Sequence, residues 1–262
     1  MEAQTFTHKV SRGSRYNQIY IPKNMADFFD VGDIVEIKLI EKKESLHYSK
    51  NLRELGKLGE FKEGIIKQIF SILSRLKEIQ QVFVVGSFLT EKEDYRDLDL
   101  ILIGDKEEAE ERAYSALISK IPMKLHIISM NTEKFNDILE FDPLIRSMLY
   151  YFVSSEKFDM SEKIEINKDH INFLLMMPED LLKIRVSGSR IYFDNLRRLI
   201  CVARFIKKQD VNPLEINSSI KKLVGKDLFD KLRNNEGIEE KDFKIIKNII
   251  KNKLGAIRNL IT

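Results

Sequence analysis

Residues 81–104 read QVFVVGSFLTEKEDYRDLDLILIG, and this stretch decides the fold of the chain. Two apolar runs, residues 82–85 and 98–103, have the length of buried strands, and a polar segment separates them. Asp97 and Asp99 stand at the beginning of the second strand. Successive side chains of a strand point to opposite faces, so residues two apart share a face. The sequence therefore predicts that both carboxylates project together from one end of a sheet.

The paired carboxylates predict a cation site beside a glycine-serine turn. Like charges side by side repel one another unless a cation lies between them, and Mg²⁺ takes oxygen ligands. Gly86 allows the backbone to approach a ligand closely, and Ser87 offers a backbone NH and a hydroxyl to phosphate. Asp97 and Asp99 are thus the predicted catalytic and metal-binding residues, and Gly86 and Ser87 the predicted nucleotide-binding residues. In the simpler alternative, the acids only solvate a strand end.

A glycine-serine pair is followed by an Asp-x-Asp motif that begins ten positions after the serine, and hydrophobic strands lie on both sides. This pattern resembles the signature of the polymerase-beta-like nucleotidyltransferase superfamily. The resemblance covers roughly residues 60–130. It implies a mixed sheet with helices that binds Mg²⁺ and an NTP, with ATP as the expected nucleotide. It also implies nucleotidyl transfer to a hydroxyl with release of pyrophosphate.

One departure from that family concerns its third carboxylate, which usually stands on the next strand. The corresponding strand here, Met123–Met130, reads MKLHIISM and contains no acid. The side chains of Lys124 and His126 are expected to face the same way as the family's third carboxylate would on this strand. Either the third carboxylate comes from elsewhere, with Glu133 and Asp137 as poor candidates, or the site has lost part of its chemistry.

The N-terminal segment reads as strand, Ile21-Pro22-Lys23, short helix, Gly32-Asp33 turn and a final strand over residues 34–40. This order resembles the swapped-hairpin barrel of AbrB and SpoVT-type regulators. A unit of about 35 residues buries too little surface to be stable alone. The resemblance implies that two chains interleave, so residues 1–45 are predicted to form a homodimer.

Basic residues mark two predicted nucleic-acid contacts. In the N-terminal segment these are Lys9, Arg12, Arg15 and Lys23, which face a single acid over residues 1–23. In the C-terminal part, Arg190, Arg197 and Arg204 lie seven apart and share a helix face. Such a stripe is typical of a polyanion site. Alternatively, the first set only solvates a dimerisation module and the second only pairs with acids elsewhere.

The sequence as a whole predicts an α+β protein. A nucleotidyltransferase-like domain is predicted over residues 52–153 and a helical domain over residues 165–262. Residues 42–51 read as a polar linker, a helix is predicted over residues 143–153, and Pro178 is predicted to mark a helix start.

Composition excludes several classes of protein. No apolar run approaches the roughly 20 residues that span a bilayer, so no membrane partner is expected. The 262 residues include a single cysteine, Cys201, which predicts a buried thiol and fits a reducing compartment. A cytoplasmic protein is expected.

Two functions remain open from the sequence. The first is Mg²⁺- and NTP-dependent nucleotidyl transfer. The second is a non-catalytic, homodimeric regulatory factor that binds DNA, RNA or a ribonucleoprotein such as the ribosome. The missing third carboxylate favours the second, and the intact aspartates and glycine-serine turn favour the first.

Overall fold

The computed structural model describes residues 6–38, 44–90, 97–105, 108–184 and 188–261. The chain divides into two compact units, Met1–Lys42 and Lys43–Thr262. The predicted domain bounds within the second unit remain predictions.

The N-terminal unit contains little regular structure in a single chain. Strands β1 (Ser11–Arg12) and β2 (Asn17–Gln18) form an antiparallel hairpin, and a 3-10 helix, Lys23–Phe28, follows. The predicted short helix is therefore confirmed, and so is the Gly32-Asp33 turn, where the Asp33 NH donates to the Asp30 carbonyl. Residues 34–38 belong to no strand, and residues 39 and 40 of that predicted strand lie outside the described residues. The described part of this unit forms no closed barrel, so the AbrB-like barrel remains a prediction.

A five-stranded mixed sheet organises the second unit, in the order β3-β7-β4-β5-β6. The strands β5 and β6 are parallel, and the other neighbouring pairs are antiparallel. Its strands are β3 (His47–Tyr48), β4 (Ile79–Val85), β5 (Asp97–Gly104), β6 (Lys124–Met130) and β7 (Phe152–Ser154). The two strands predicted from residues 82–85 and 98–103 are thus the neighbours β4 and β5 at the middle of the sheet.

Helices cover both faces of the sheet, and among the described residues after β7 all regular structure is helical. They are α1 (Glu60–Leu73), α2 (Ala109–Ile118), α3 (Thr132–Phe141), α4 (Pro143–Met148), α5 (Lys168–Lys183), α6 (Arg190–Ile206), α7 (Pro213–Val224), α8 (Lys226–Arg233) and α9 (Glu240–Ile261). Among the described residues, no helix is both long enough and apolar enough to cross a membrane.

Strand alternation divides the core of the sheet between its two faces. On one face, Leu98, Leu100 and Leu102 pack with residues of α1 and α2, among them Phe70 and Leu117. On the other, a second cluster includes residues of β4, β5, α3 and α4: Phe83, Val85, Ile101, Ile103, Phe135, Leu139 and Ile145. By the same alternation, Asp97 and Asp99 stand on the face of Ile101. The aspartates therefore lie on the sheet face that α3 and α4 cover, at the beginning of β5.

The single helix predicted over residues 143–153 is wrong in its second half. Helix α4 ends at Met148, and residues 152–154 form β7, which pairs with β4. Phe152 and Val153 are buried on opposite faces of the sheet. Aromatic and β-branched residues fit a pleated, buried position, and tertiary pairing outweighs the helical pattern here.

The predicted helix start at Pro178 is also wrong, because α5 continues through this residue to Lys183. Proline inside a helix removes one backbone hydrogen bond, at a cost of about 3 kcal/mol. Buried contacts on both sides of the proline offset that loss, since Leu175 and Leu181 belong to the core of the helical part. Cys201 lies in the same core, where burial raises the pKa of its thiol to about 12. The prediction of a buried thiol is confirmed.

Candidate functional site

Asp97 and Asp99 point the same way, as alternation along the strand predicts. His126 Nδ1 lies 3.2 Å from Asp99 Oδ1 and 3.8 Å from Asp97 Oδ2, so one imidazole edge touches the space between both carboxylates. The register explains the contact, because Asp99 pairs with His126 and Asp97 with Lys124 across the parallel strands β5 and β6. The predicted shared face is confirmed, whereas the catalytic and metal-binding roles remain predictions.

Gly86 closes the other side of the Asp99 carboxylate. Val85 is the cross-strand partner of Asp99, and Gly86 follows it with a φ of +80°. A Cβ built on Gly86 would overlap Asp99 Oδ2 and lie 3.2 Å from Asp99 Cγ. Only glycine combines this backbone conformation with the close approach of the carboxylate. The predicted proximity of the glycine-serine turn to the acid pair is confirmed.

The Asp99 carboxylate is held in a partly desolvated position. Burial raises its pKa above the ordinary value, and the nearby charge of Asp97 acts in the same direction, whereas the contact with His126 lowers it. The side chains of Asp97, Asp99 and His126 nevertheless stay 39%, 30% and 45% exposed. The site is therefore open to a solute, and the binding of a cation would relieve the repulsion between the acids.

The turn that begins at Gly86 is short and well anchored. Residues Gly86–Leu89 form a single 3-10 turn, in which Phe88 and Leu89 are buried and Ser87 is exposed. Thr90 donates from its hydroxyl to the Ser87 carbonyl at 2.7 Å, and Lys62 Nζ donates to the Thr90 carbonyl at 2.6 Å. Sequence reasoning missed Lys62, because it lies on α1 and meets the turn only in the folded chain.

A third carboxylate does not appear beside the acid pair within the residues that the structure describes. Glu133 lies in the first turn of α3. That helix follows the last residue of β6, whereas Lys124 and His126 stand at the beginning of the strand. Likewise, the described residues contain no group of three or more His, Cys, Asp or Glu side chains arranged to hold a metal ion. Mg²⁺ usually keeps several waters and binds one or two carboxylates together with substrate phosphates. Two adjacent carboxylates beside an exposed serine fit that mode of binding.

The predicted basic stripe on α6 is largely occupied by contacts within the chain. Arg190 pairs with Asp194, four residues later on the same helix, at 3.1 Å, and also donates to the Arg233 carbonyl at 2.9 Å. Arg204 forms an ion pair with Glu215. These contacts match the alternative in which the arginines pair with acids of the same protein.

Arg197 differs from the other two arginines of the stripe. Its guanidinium lies 6.0 Å from the centre of the Phe193 ring, and burial lowers its pKa. Its Nε is buried and makes no hydrogen bond with the described residues. In the N-terminal unit, by contrast, all four basic candidates (Lys9, Arg12, Arg15 and Lys23) are exposed. Nucleic-acid binding by either set remains a prediction.

A cleft of about 310 Å³ opens between the sheet and the helical part. Its walls include Phe152 of β7, Tyr150 just before that strand, and residues 208–211 after α6. Val85 pairs with Asp99 on one side and with Phe152 on the other. Adjacent strands lie about 4.8 Å apart, so this wall begins roughly 10 Å from Asp99 on the same sheet.

No protein-family model matches this sequence, and no curated protein matches it. A crystal structure of spectinomycin adenyltransferase AAD(9) from Enterococcus faecialis with ATP and spectinomycin is partly similar, with a TM-score of 0.44 and 12% sequence identity. The similarity covers 74% of this chain and 98% of that chain. A likeness of this degree does not establish a common fold, so the function below rests on the geometry of the site.

Proposed function

We propose that this protein transfers a nucleotidyl group from an NTP, with ATP as the first candidate, to a hydroxyl group. The observation that carries the proposal is the carboxylate pair of Asp97 and Asp99, held on one sheet face against Gly86. In the reaction, the acceptor oxygen forms a bond to the α-phosphorus, and the bond from that phosphorus to the β-phosphate oxygen breaks. Pyrophosphate leaves with the electron pair, and the acceptor proton passes to solvent.

The residues of the chain bind and orient the reactants in this proposal. Asp97 and Asp99 would hold Mg²⁺, which when bound supplies positive charge to the triphosphate. Gly86 leaves room for the Asp99 carboxylate at the turn, and Ser87 offers its backbone NH and hydroxyl to the phosphates. Positioning and charge neutralisation supply most of the rate in phosphoryl chemistry of this kind, so the proposal does not require a third carboxylate.

The cleft beside Phe152 provides a route for the acceptor. It lies on the same sheet as the acid pair, and aromatic walls together with a few charged groups are typical of small-molecule sites. We propose that the acceptor hydroxyl belongs to a small molecule that enters here.

Calorimetry tests the proposed function directly. ATP titrated into the protein is expected to bind in the presence of Mg²⁺ and to lose most of its affinity in EDTA, because the triphosphate meets the two aspartates through the cation. ATP binding of equal strength with and without Mg²⁺, or no binding in either case, contradicts the proposal.

We also propose that the N-terminal unit pairs with a second copy of the chain. No side chain among its described residues, 6–38, is buried, and Ile34 and Ile37 are 100% and 69% exposed. A unit of this size needs a partner to bury its apolar surface. A second chain carries the same surface and supplies the strands that a single chain leaves unpaired.

Aspartate at Ile21 and Ile37 is expected to convert a dimer of the full-length protein into a monomer, since two charges in a buried interface are strongly unfavourable. Light scattering coupled to size exclusion measures the mass. Phe61→Asp is the matched control, because Phe61 is 69% exposed on α1 in the other unit. A wild-type monomer, or a dimer that survives the double substitution, contradicts the proposal.

The second candidate function, nucleic-acid binding, is favoured by the exposure of Lys9, Arg12, Arg15 and Lys23. Each phosphate contact contributes about 0.9 to the slope of log affinity against log salt for duplex DNA. Alanine at all four positions is expected to lower that slope by about 3 to 4, as measured by fluorescence anisotropy with duplex DNA and structured RNA.

Alanine at Arg190 and Arg204 provides the comparison for this experiment. Both arginines already contact acids of the chain, so the salt slope is expected to change less than with the N-terminal substitutions. If the α6 substitutions change the salt slope more than the N-terminal ones do, the nucleic-acid interface lies on the helical part instead. No affinity at low salt removes this second function.

A further inference from the structure

His126 lies beside the acid pair, but the proposed reaction assigns it no role. It stands on β6 opposite Asp99, where its side chain reaches the acid pair. A carboxylate at this position would add negative charge, whereas an imidazole contributes a hydrogen-bond donor. The contact therefore points to a role in orienting an acid rather than in adding a ligand.

The chemistry of the contact fixes the hydrogen-bond roles. Nδ1 of His126 lies 3.2 Å from Oδ1 of Asp99, and an ionised carboxylate offers only acceptor atoms. With Asp99 ionised, as a cation site requires, the hydrogen lies on Nδ1 and His126 donates to Asp99. At 3.8 Å, Asp97 Oδ2 is beyond a normal hydrogen bond, so the donor serves Asp99.

Asp99 is thereby held from two sides. Its Oδ1 accepts from His126, and its Oδ2 packs against Gly86, where a Cβ would collide with it. Rotation of the carboxylate would break the contact between Oδ1 and His126 and would move Oδ2 from its place beside Gly86. Asp97 is more exposed than Asp99, and its Oδ2 lies 3.8 Å from the same ring nitrogen.

We propose that His126 is a positioning residue that fixes the Asp99 carboxylate so that both aspartates present oxygens to one divalent cation. The role assigned to His126 rests on the proposed function, because it needs the acid pair to be a cation site. Groups that orient metal-binding carboxylates typically contribute 10- to 100-fold in metal affinity. The loss expected on removing the donor is in that range.

Mn²⁺ binding, followed by electron paramagnetic resonance with and without ATP, tests the assignment without any need for turnover. His126→Leu is expected to weaken Mn²⁺ binding about 10- to 100-fold. His126→Asn keeps an N–H donor near the place of Nδ1 and is expected to retain binding close to that of the wild type. The two variants have similar size, so their difference reports the donor rather than packing.

Lys124→Ala is the matched control on the same strand. Lys124 is exposed and pairs in register with Asp97, and removal of its positive charge is expected to leave Mn²⁺ binding unchanged or tighter. Metal-free thermal melting confirms that each variant is folded.

The results separate this inference from the proposed function. If the wild type binds Mn²⁺ with ATP and His126→Leu binds it equally well, the role of His126 is overturned and the proposed function stands. Equal weakening in the Leu and Asn variants also overturns it, because the donor is then irrelevant. If the wild type binds no Mn²⁺ even with ATP present, both fall together.

Discussion

Asparagine at Asp97 and Asp99 is expected to reduce Mg²⁺-dependent ATP binding by two to three orders of magnitude and to abolish nucleotidyl transfer. The double substitution removes both negative charges but keeps the size of the side chains. A metal ion contributes several kcal/mol to the stabilisation of charge on a phosphoryl group, and each 1.4 kcal/mol is a factor of ten. Calorimetry measures the binding, and release of pyrophosphate from ATP measures the transfer.

Stability provides the control for this experiment. The pKa of Asp99 is raised by burial, so its charged form is less favourable in the folded protein than in the unfolded chain. A carboxylate with a raised pKa lowers stability as pH rises from its unfolded value through its folded value. Asp99→Asn is therefore expected to melt at the same or a higher temperature than the wild type at neutral pH. Wild-type ATP affinity in a folded double variant would falsify the proposed site.

Gly86→Ala is expected to weaken Mg²⁺-dependent ATP binding about 10- to 100-fold, in the range of changes that disturb the orientation of a metal ligand. Two effects combine at this position. The φ of +80° disfavours any side chain by about 1 to 2 kcal/mol. The added methyl group would also occupy the space of Asp99 Oδ2, so the carboxylate has to leave the position in which it contacts His126. Calorimetry with Mg²⁺ and ATP measures the loss.

Gly64→Ala is the matched control for this substitution. Gly64 lies inside α1, and a Cβ there would meet nothing within 4 Å. Alanine in a helix interior is more favourable than glycine by about 0.5 to 1 kcal/mol, so this variant is expected to be more stable and to bind ATP normally. If Gly86→Ala binds Mg²⁺ and ATP as the wild type does, the close approach of Asp99 to the turn has no part in the site.

The strands and the acid pair were predictable because their signals are local. The apolar runs at residues 82–85 and 98–103 lie within the neighbouring strands β4 and β5, and the side-chain period of two places Asp97 and Asp99 on one face. The strand length, the turn residues and this alternation all depend on neighbours within a few positions along the chain.

Other parts of the fold were misjudged because distant partners decide them. Residues 152 and 153 were predicted to end a helix but belong to β7, since β4 and β3 pair with that strand from both sides. The predicted linker at residues 42–51 contains β3 for the same reason. Distant partners also decide which acids the arginines of α6 meet, since Arg204 contacts Glu215 eleven positions later on the next helix.

The sequence by itself determined that two aspartates extend from one face of a strand and that a glycine-serine turn ends the preceding strand, because neighbouring residues alone set the alternation and the turn. Only the tertiary structure decided that His126 touches Asp99 and that Gly86 packs against the same carboxylate. Those contacts depend on the register between β5 and β6 and on the pairing of β4 with β5. Packing of the helices on both faces of the sheet fixes that arrangement, and no local pattern in the chain specifies it.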